Sequence, residues 1–174
     1  MTRVLISLGS NLQAADNLGY ALDSLLLRFG DVALSPVFES AASGNAGSAA
    51  YLNMSVALNT DLSLAELNTL FKALEAKLGR QRDTDKALGV PLDIDILTYG
   101  NQTGRSGGIT LPRPELTEAA YVLWPVAVMV PKERHPVLKQ TYSELWKAFD
   151  MGGQTITPVN FFWHERQISS AALQ

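Results

Sequence analysis

The chain predicts an α+β fold of ferredoxin-like type, an antiparallel sheet flanked by helices in αβα layers, on three observations. Apolar runs of period two and apolar stripes of period three to four succeed one another as strand, helix, strand, strand, helix, strand. Ser63 followed by Glu66 makes a capping box ahead of Leu67, Phe71, Leu74 and Leu78, with Gly79 closing that helix. The last strand, Pro91-Leu92-Asp93-Ile94-Asp95-Ile96-Leu97, sets two acids one residue apart inside an apolar run.

Val4 to Leu8 reads as a buried first strand stopped by the turn Gly9-Ser10-Asn11. Leu18, Leu22, Leu25, Leu26 and Phe29 then define a helix from about Asp16 to Phe29, ended by Gly30. Asp31 to Glu39 is expected to be one strand and Tyr51 to Leu58 the next, separated by a small-residue loop, Ser40 to Ser48, with little capacity to pack. Beyond Tyr99 a polar, Gly-rich loop runs from Asn101 to Gly108 and leads into a short strand at Ile109 to Leu111. Weaker helices are expected at Ala119 to Met129 and Ser143 to Phe149. Residues 1–150 are expected to form the domain and 151–174 an extension docked on it, although Phe161, Phe162 and Trp163 would also suit a dimer contact.

In a strand, alternation puts Asp93 and Asp95 on one face, roughly 7 Å apart at about 3.3 Å per residue. Acids are disfavoured in strands, so the pair calls for a compensating partner, most simply a hard cation such as Mg²⁺; a solvated strand face is the alternative. Lys77, Arg80, Arg82 and Lys86 place four of the fourteen basic residues in a ten-residue window leading to that pair. Cations beside paired carboxylates suit a phosphate-and-metal site, although Lys and Arg also favour helix C-termini and Asp83 and Asp85 dilute the charge. Tyr51 and Asn53 share a strand face, where a ring could stack on a flat heterocycle and an amide could read its edge; a half-buried structural role is the alternative.

Composition narrows the classes. The 174 residues include no cysteine, which excludes thiolate chemistry and disulfides and is compatible with a reducing cytoplasm. A net charge of −3 offers nucleic acid no global field, and no apolar run approaches the roughly 18 residues of a membrane span. The apolar run at Val4 to Leu8 is too short for a signal peptide, so a soluble cytoplasmic protein is expected. His135 and His164 lie far apart without a companion ligand at zinc spacing, and no phosphate-binding glycine loop occurs.

Leu8-Gly9-Ser10-Asn11-Leu12, Tyr51-Leu52-Asn53, Leu78-Gly79-Arg80-Gln81-Arg82, Leu92-Asp93-Ile94-Asp95-Ile96-Leu97, Leu111-Pro112 and Tyr121-Val122-Leu123-Trp124-Pro125 together resemble the 6-hydroxymethyl-7,8-dihydropterin pyrophosphokinase family, over about the first 150 residues. The resemblance implies Mg²⁺-dependent transfer of diphosphate from ATP to 6-hydroxymethyl-7,8-dihydropterin in folate biosynthesis, by a monomer or weak homodimer. It implies two Mg²⁺ ions on Asp93 and Asp95, with Arg80 and Arg82 also catalytic. The pterin would lie among Ser40, Ala41, Ala42, Ser43, Tyr51, Asn53 and Tyr121. ATP would lie near Glu75, Arg82, Lys86, Ile96, Thr110 and Arg113.

The chain departs from that family's pattern in four places. Lys86-Ala87-Leu88-Gly89-Val90-Pro91 stands where the family usually has Arg-Trp-Gly-Pro-Arg-Thr, so Val90 replaces an arginine and Ala87 an aromatic. Arg113 and Ala119 stand where a histidine and an arginine that contact ATP are expected. Arginines that stabilise phosphoryl transfer can each be worth about three orders of magnitude in rate. A catalytically weak paralogue that binds a pterin or related molecule is therefore the alternative expectation.

Overall fold

The computed structural model describes residues 1–41, 49–80 and 88–173. Its main sheet has six strands. Strand β1 (Thr2–Ser10) lies between β5 (Asp93–Tyr99) and β4 (Tyr51–Thr60), antiparallel to both. Strands β2 (Val32–Leu34) and β3 (Phe38–Ser40) follow one another along the other edge of β4. With β2 and β3 taken as one strand, the order across the sheet, β5, β1, β4, β2/β3, is the ferredoxin-like order that the alternating elements predict.

The stretch expected to be a single second strand is broken at Ser35-Pro36. Leu34 pairs with Val56 and Phe38 with Asn53, so one extra residue is accommodated between the two short strands, as in a β-bulge. Pro36 has no N–H for the ladder, and the Ser55 N–H is met instead by Ser35 Oγ at 2.8 Å. The bulge decides which side chains of β3 face the site.

Alternation divides the core into two layers. Val4, Ile6, Leu8, Met54, Val56, Leu58, Ile94 and Ile96 pack under α1 (Ala14–Phe29) and α2 (Leu64–Lys77). On the opposite face Leu5, Ala57 and Leu97 meet α3 (Glu115–Glu118), α4 (Ala120–Met129) and α5 (Tyr142–Lys147). Helix α1 ends at Gly30, whose positive φ of 74° is one that glycine tolerates and whose N–H bonds the Leu26 carbonyl at 2.8 Å. Helix α2 has its capping box, but its buried stripe is Leu64, Leu67, Phe71 and Glu75. Leu74 and Leu78 are only half-buried, because Glu75 is drawn inward by polar partners.

Other elements were not expected. Residues 104–106, assigned to a loop, form β6 (Gly104–Ser106), paired with β7 (Ile109–Leu111) across Gly107 and Gly108, both at positive φ. The C-terminal stretch adds β8 (Ile156–Pro158) to the outer side of β3, then a hairpin of β9 (Phe161–Trp163) and β10 (Arg166–Ser169). Asp23 on α1 accepts from Trp163 Nε1 at 2.9 Å and bonds His164 Nε2 at 2.6 Å. Among the described residues no helix is long and apolar enough to cross a membrane.

Candidate functional site

The sheet face under α3 and α4 is apolar along only part of its length. Leu5, Ala57 and Leu97 give way, two residues along each strand, to Ser7, Ser55 and Asp95, and then to Gly9, Asn53 and Asp93. Asp95 pairs with Ser7, and Ser7 with Ser55; one step further Phe38, Asn53, Gly9 and Asp93 form a continuous row across four strands. Polar strand residues therefore collect where the covering helices stop. Gly9 leaves the middle of that row low: a Cβ there would lie 3.6 Å from Asn53 Oδ1 and 3.9 Å from a Tyr51 ring carbon.

Above this floor lies a cleft of about 710 Å³. Ser40, Ala41, Tyr51, Asn53, Asp93, Asp95 and Tyr121 line it, joined by Ser7, Gly9, Asn11, Glu115, Glu118, Ala119, Ala120 and the segment Gly153 to Thr155. Asn53 is buried and donates to Ser40 Oγ at 2.8 Å, which directs its carbonyl oxygen over Gly9. A ring flanked by tyrosines and met by an oriented amide is the environment a flat, polar-edged heterocycle needs.

A second cavity, of about 400 Å³, lies on the other side of the acids and is lined by Asn68, Lys72, Arg80, Asp93, Ile94, Asp95, Ile96, Gly107, Gly108, Ile109 and Arg113. Asp93 and Asp95 border both spaces. Arg80 Nη1 donates to Asp93 Oδ1 at 2.6 Å and to the Leu92 carbonyl at 2.9 Å, and Arg113 Nη2 donates to Asp95 Oδ1 at 3.0 Å. Burial first, and then the neighbouring Asp93, pushes the Asp95 carboxyl up to about 6, against the pull of Arg113 and Lys72. Glu115 adds to the repulsion. Its Oε2 and Arg113 Nε are buried without a hydrogen bond and face each other at 3.5 Å.

The donor set fits a hard dication. Two like charges repel on one face, and a cation between them would relieve that repulsion. Among the described residues no group of three or more His, Cys, Asp and Glu could enclose a metal. A bound ion would therefore complete its shell from outside the protein, as Mg²⁺ does when it binds through one or two carboxylates and substrate phosphates.

The remaining expected site residues divide clearly. Ile96 and Arg113 line the second cavity. Glu75 lines neither space: it is buried, accepts the Ile94 N–H at 2.9 Å, and has Lys72 Nζ 3.4 Å away and Arg80 Nη1 3.9 Å away. Thr110 is exposed and also lines neither space, because alternation along β7 turns Ile109 and Leu111 inward and Thr110 out. Ala42, Ser43, Arg82 and Lys86 lie outside the described residues.

Of the departures, Val90 is buried. Its N–H donates to Asn11 Oδ1 at 2.6 Å and its carbonyl accepts from Asn11 N at 3.0 Å. Ala119 is a buried part of the first cleft's wall. The histidines serve elsewhere, His135 Nδ1 accepting the N–H groups of Val137 and Leu138 at 3.2 and 3.1 Å.

Sequence reasoning passed over Asn68 and Lys72, Glu115 and Glu118, and Gly153 to Thr155. Asn68, Lys72 and Glu75 do recur at helical spacing on one side of α2, which was a usable signal. Nothing local marks the segment after Asp150.

A ferredoxin-like sheet with paired carboxylates between an aromatic, amide-lined cleft and a cation-lined cavity defines a class: α+β proteins suited to passing a phosphate-type group between two small molecules. The chain belongs to the 7,8-dihydro-6-hydroxymethylpterin-pyrophosphokinase family, whose model matches residues 5–131. It is 34% identical over 137 residues to the 2-amino-4-hydroxy-6-hydroxymethyldihydropteridine pyrophosphokinase of Pseudomonas aeruginosa, covering 77% of this chain and 84% of the relative. The enzyme of the same name from Helicobacter pylori is 32% identical over 133 residues, 72% of this chain and 80% of the relative. Among solved structures, Plasmodium falciparum HPPK-DHPS, wild type, with pterin and p-hydroxybenzoate matches 97% of this chain with a TM-score of 0.69 at 13% identity. The match covers 48% of that protein, so the chain spans about half its length, and the likeness bears on the fold.

Proposed function

We propose that this chain transfers diphosphate from ATP to 6-hydroxymethyl-7,8-dihydropterin, the activity named for its relatives in Pseudomonas aeruginosa and Helicobacter pylori. One observation carries the reading to this site: Asp93 and Asp95 border both a cleft fitted to a flat heterocycle and a cavity lined by Lys72, Arg80 and Arg113. The pterin occupies the first space, between Tyr51 and Tyr121, with Asn53 and Ser40 at its edge. The triphosphate enters the second, where the three cations offset its charge. Magnesium held by Asp93 and Asp95 supplies charge neutralisation on the phosphate oxygens.

The pterin hydroxyl oxygen forms a bond to the β-phosphorus and the bond from that phosphorus to the oxygen bridging it to the α-phosphate breaks. AMP leaves with that oxygen, and the hydroxyl proton is released. Arg80 and Arg113 hold the carboxylates in place before substrate arrives and turn toward phosphate when it does. Asn53 and the tyrosines fix the ring so that its hydroxymethyl arm reaches across the acids, which lowers the barrier through orientation. Among the sequence candidates outside the described residues, Arg82 and Lys86 remain proposed for ATP, and Ala42 and Ser43 for the pterin, on the resemblance alone. Both spaces are lined by described residues of one chain, which supports a monomer or weak homodimer, and the protein is proposed to be cytoplasmic.

Purified protein with ATP, Mg²⁺ and 6-hydroxymethyl-7,8-dihydropterin should release AMP in step with pterin diphosphate. Val90 and Ala119, apolar and buried where the family pattern has arginines, favour a second reading, a weak paralogue that binds the pterin. Measurable pterin binding without AMP at high protein concentration would select it.

A further inference from the structure

Family matching ends at residue 131, yet the first cleft is walled in part by Gly153, Gln154 and Thr155. Two anchors hold that segment. On one side β8 pairs with β3, Ile156 opposite Ser40, whose hydroxyl orients Asn53. On the other side Gln154 bonds the junction of α3 and α4: its Oε1 accepts the Ala120 N–H at 2.8 Å and its Nε2 donates to the Glu118 carbonyl at 3.0 Å. Ala119 is extended, with φ −119° and ψ 119°, so the chain leaves helical geometry where this side chain grips it. Tyr121, a wall of the cleft, follows Ala120 directly.

The turn before Gln154 is built to deliver it. Gly152 and Gly153 have φ of 52° and 83°, conformations that would strain a side-chain-bearing residue. Gln154 N–H closes the turn on the Met151 carbonyl at 2.7 Å, and Asp150 Oδ1 accepts the Gly152 N–H at 3.0 Å. Both backbone groups that Gln154 meets belong to a helix break, where N–H and C=O lack regular helical partners.

We infer that residues 153–155 are a strap across the substrate cleft and that Gln154 is a positioning residue, holding the Ala120-Tyr121 wall at the distance from Asn53 that admits a bicyclic, polar-edged heteroaromatic. The inference rests on the proposed function for the identity of that ring. The strap acts on the heterocycle side and leaves the nucleotide cavity untouched, since none of its residues lines the second space.

The test compares Gln154→Ala with Asp23→Ala, which removes two hydrogen bonds between α1 and the β9–β10 hairpin without touching the cleft. Titration calorimetry with 6-hydroxymethylpterin, with a non-transferable ATP analogue present, reads the ring site, and titration of the analogue alone reads the other. Gln154→Ala should weaken pterin binding about tenfold, the scale of one or two hydrogen bonds. Analogue binding should stay within twofold, and Asp23→Ala should leave both unchanged. Gln154→Glu, which keeps the acceptor for Ala120 and loses the donor to Glu118, should fall between wild type and Gln154→Ala. Wild-type pterin binding with no loss in Gln154→Ala overturns the inference alone, as does equal weakening by Asp23→Ala or parallel loss of both ligands. A wild-type protein that binds no pterin overturns the proposed function and this inference with it.

Discussion

Arg113 donates to Asp95 across 3.0 Å, yet the Asp95 carboxyl is still pushed up to about 6. Burial and the charge on Asp93 together outweigh one arginine and a more distant lysine. Because the folded-state value lies above the ordinary 3.8, protonation favours the folded chain. The destabilisation by ionised Asp95 grows as pH rises from about 4 to 6 and is complete above that.

Asp95→Asn should therefore raise folding stability at pH 7, by on the order of 1–2 kcal/mol, and the gain should vanish near pH 3.5. The same substitution should abolish AMP release. Denaturant melts at both pH values, set beside an AMP assay, check the pair. Lower stability at pH 7 would mean that the Arg113 ion pair dominates the local balance.

Magnesium held by Asp95, as proposed, would compete with the proton on that carboxyl. Its apparent affinity should be flat above about pH 7 and weaken below pH 6, by up to about tenfold per pH unit. Calorimetric Mg²⁺ titration with a non-transferable ATP analogue across pH 5 to 8 measures this. An affinity unchanged from pH 5 to 7 would remove Asp95 from the metal site.

Glu75 acts through Ile94, the residue between the two acids. Glu75→Leu keeps side-chain bulk but leaves the buried Ile94 N–H without its carboxylate acceptor and releases Lys72. A loss of about 2–4 kcal/mol is expected, from an unsatisfied buried donor and lost charge partners. Urea unfolding gives the figure, and a cost under about 0.5 kcal/mol would show that β5 does not depend on this bond.

Ala119 borders the heterocycle cleft close to Glu115, and the described residues lining that cleft include no lysine or arginine. Ala119→Arg should raise kcat at least about tenfold if a missing cation limits the transfer. Val90→Arg should lower stability without that gain, since Val90 is buried with its backbone tied to Asn11. Steady-state AMP release with thermal melts separates the two. A drop in kcat for Ala119→Arg would indicate that the cleft already has its full complement of charge.

The alternation of apolar residues was enough to place Asp93 and Asp95 together and to foresee α2, because both depend on the local periods of strand and helix. The split at Ser35-Pro36 was legible in principle, from a proline that cannot join a ladder, but the apolar run through it masked the break. Glu75, placed near ATP by the resemblance, lies buried where it meets Ile94 and the basic side chains, a burial that no local signal announces for a charged helix residue.

By itself the amino-acid order determined the sheet type, the acid pair, the Tyr51 and Asn53 face and, through its motifs, the family. Tertiary structure alone decided that the acids divide two cavities, that Glu75 is buried against Ile94, and that Gln154 returns from far along the chain to close one wall. The physical reason is range: periodicity and capping act over a few residues, whereas a wall built from segments more than a hundred residues apart exists only once the sheet has brought them together.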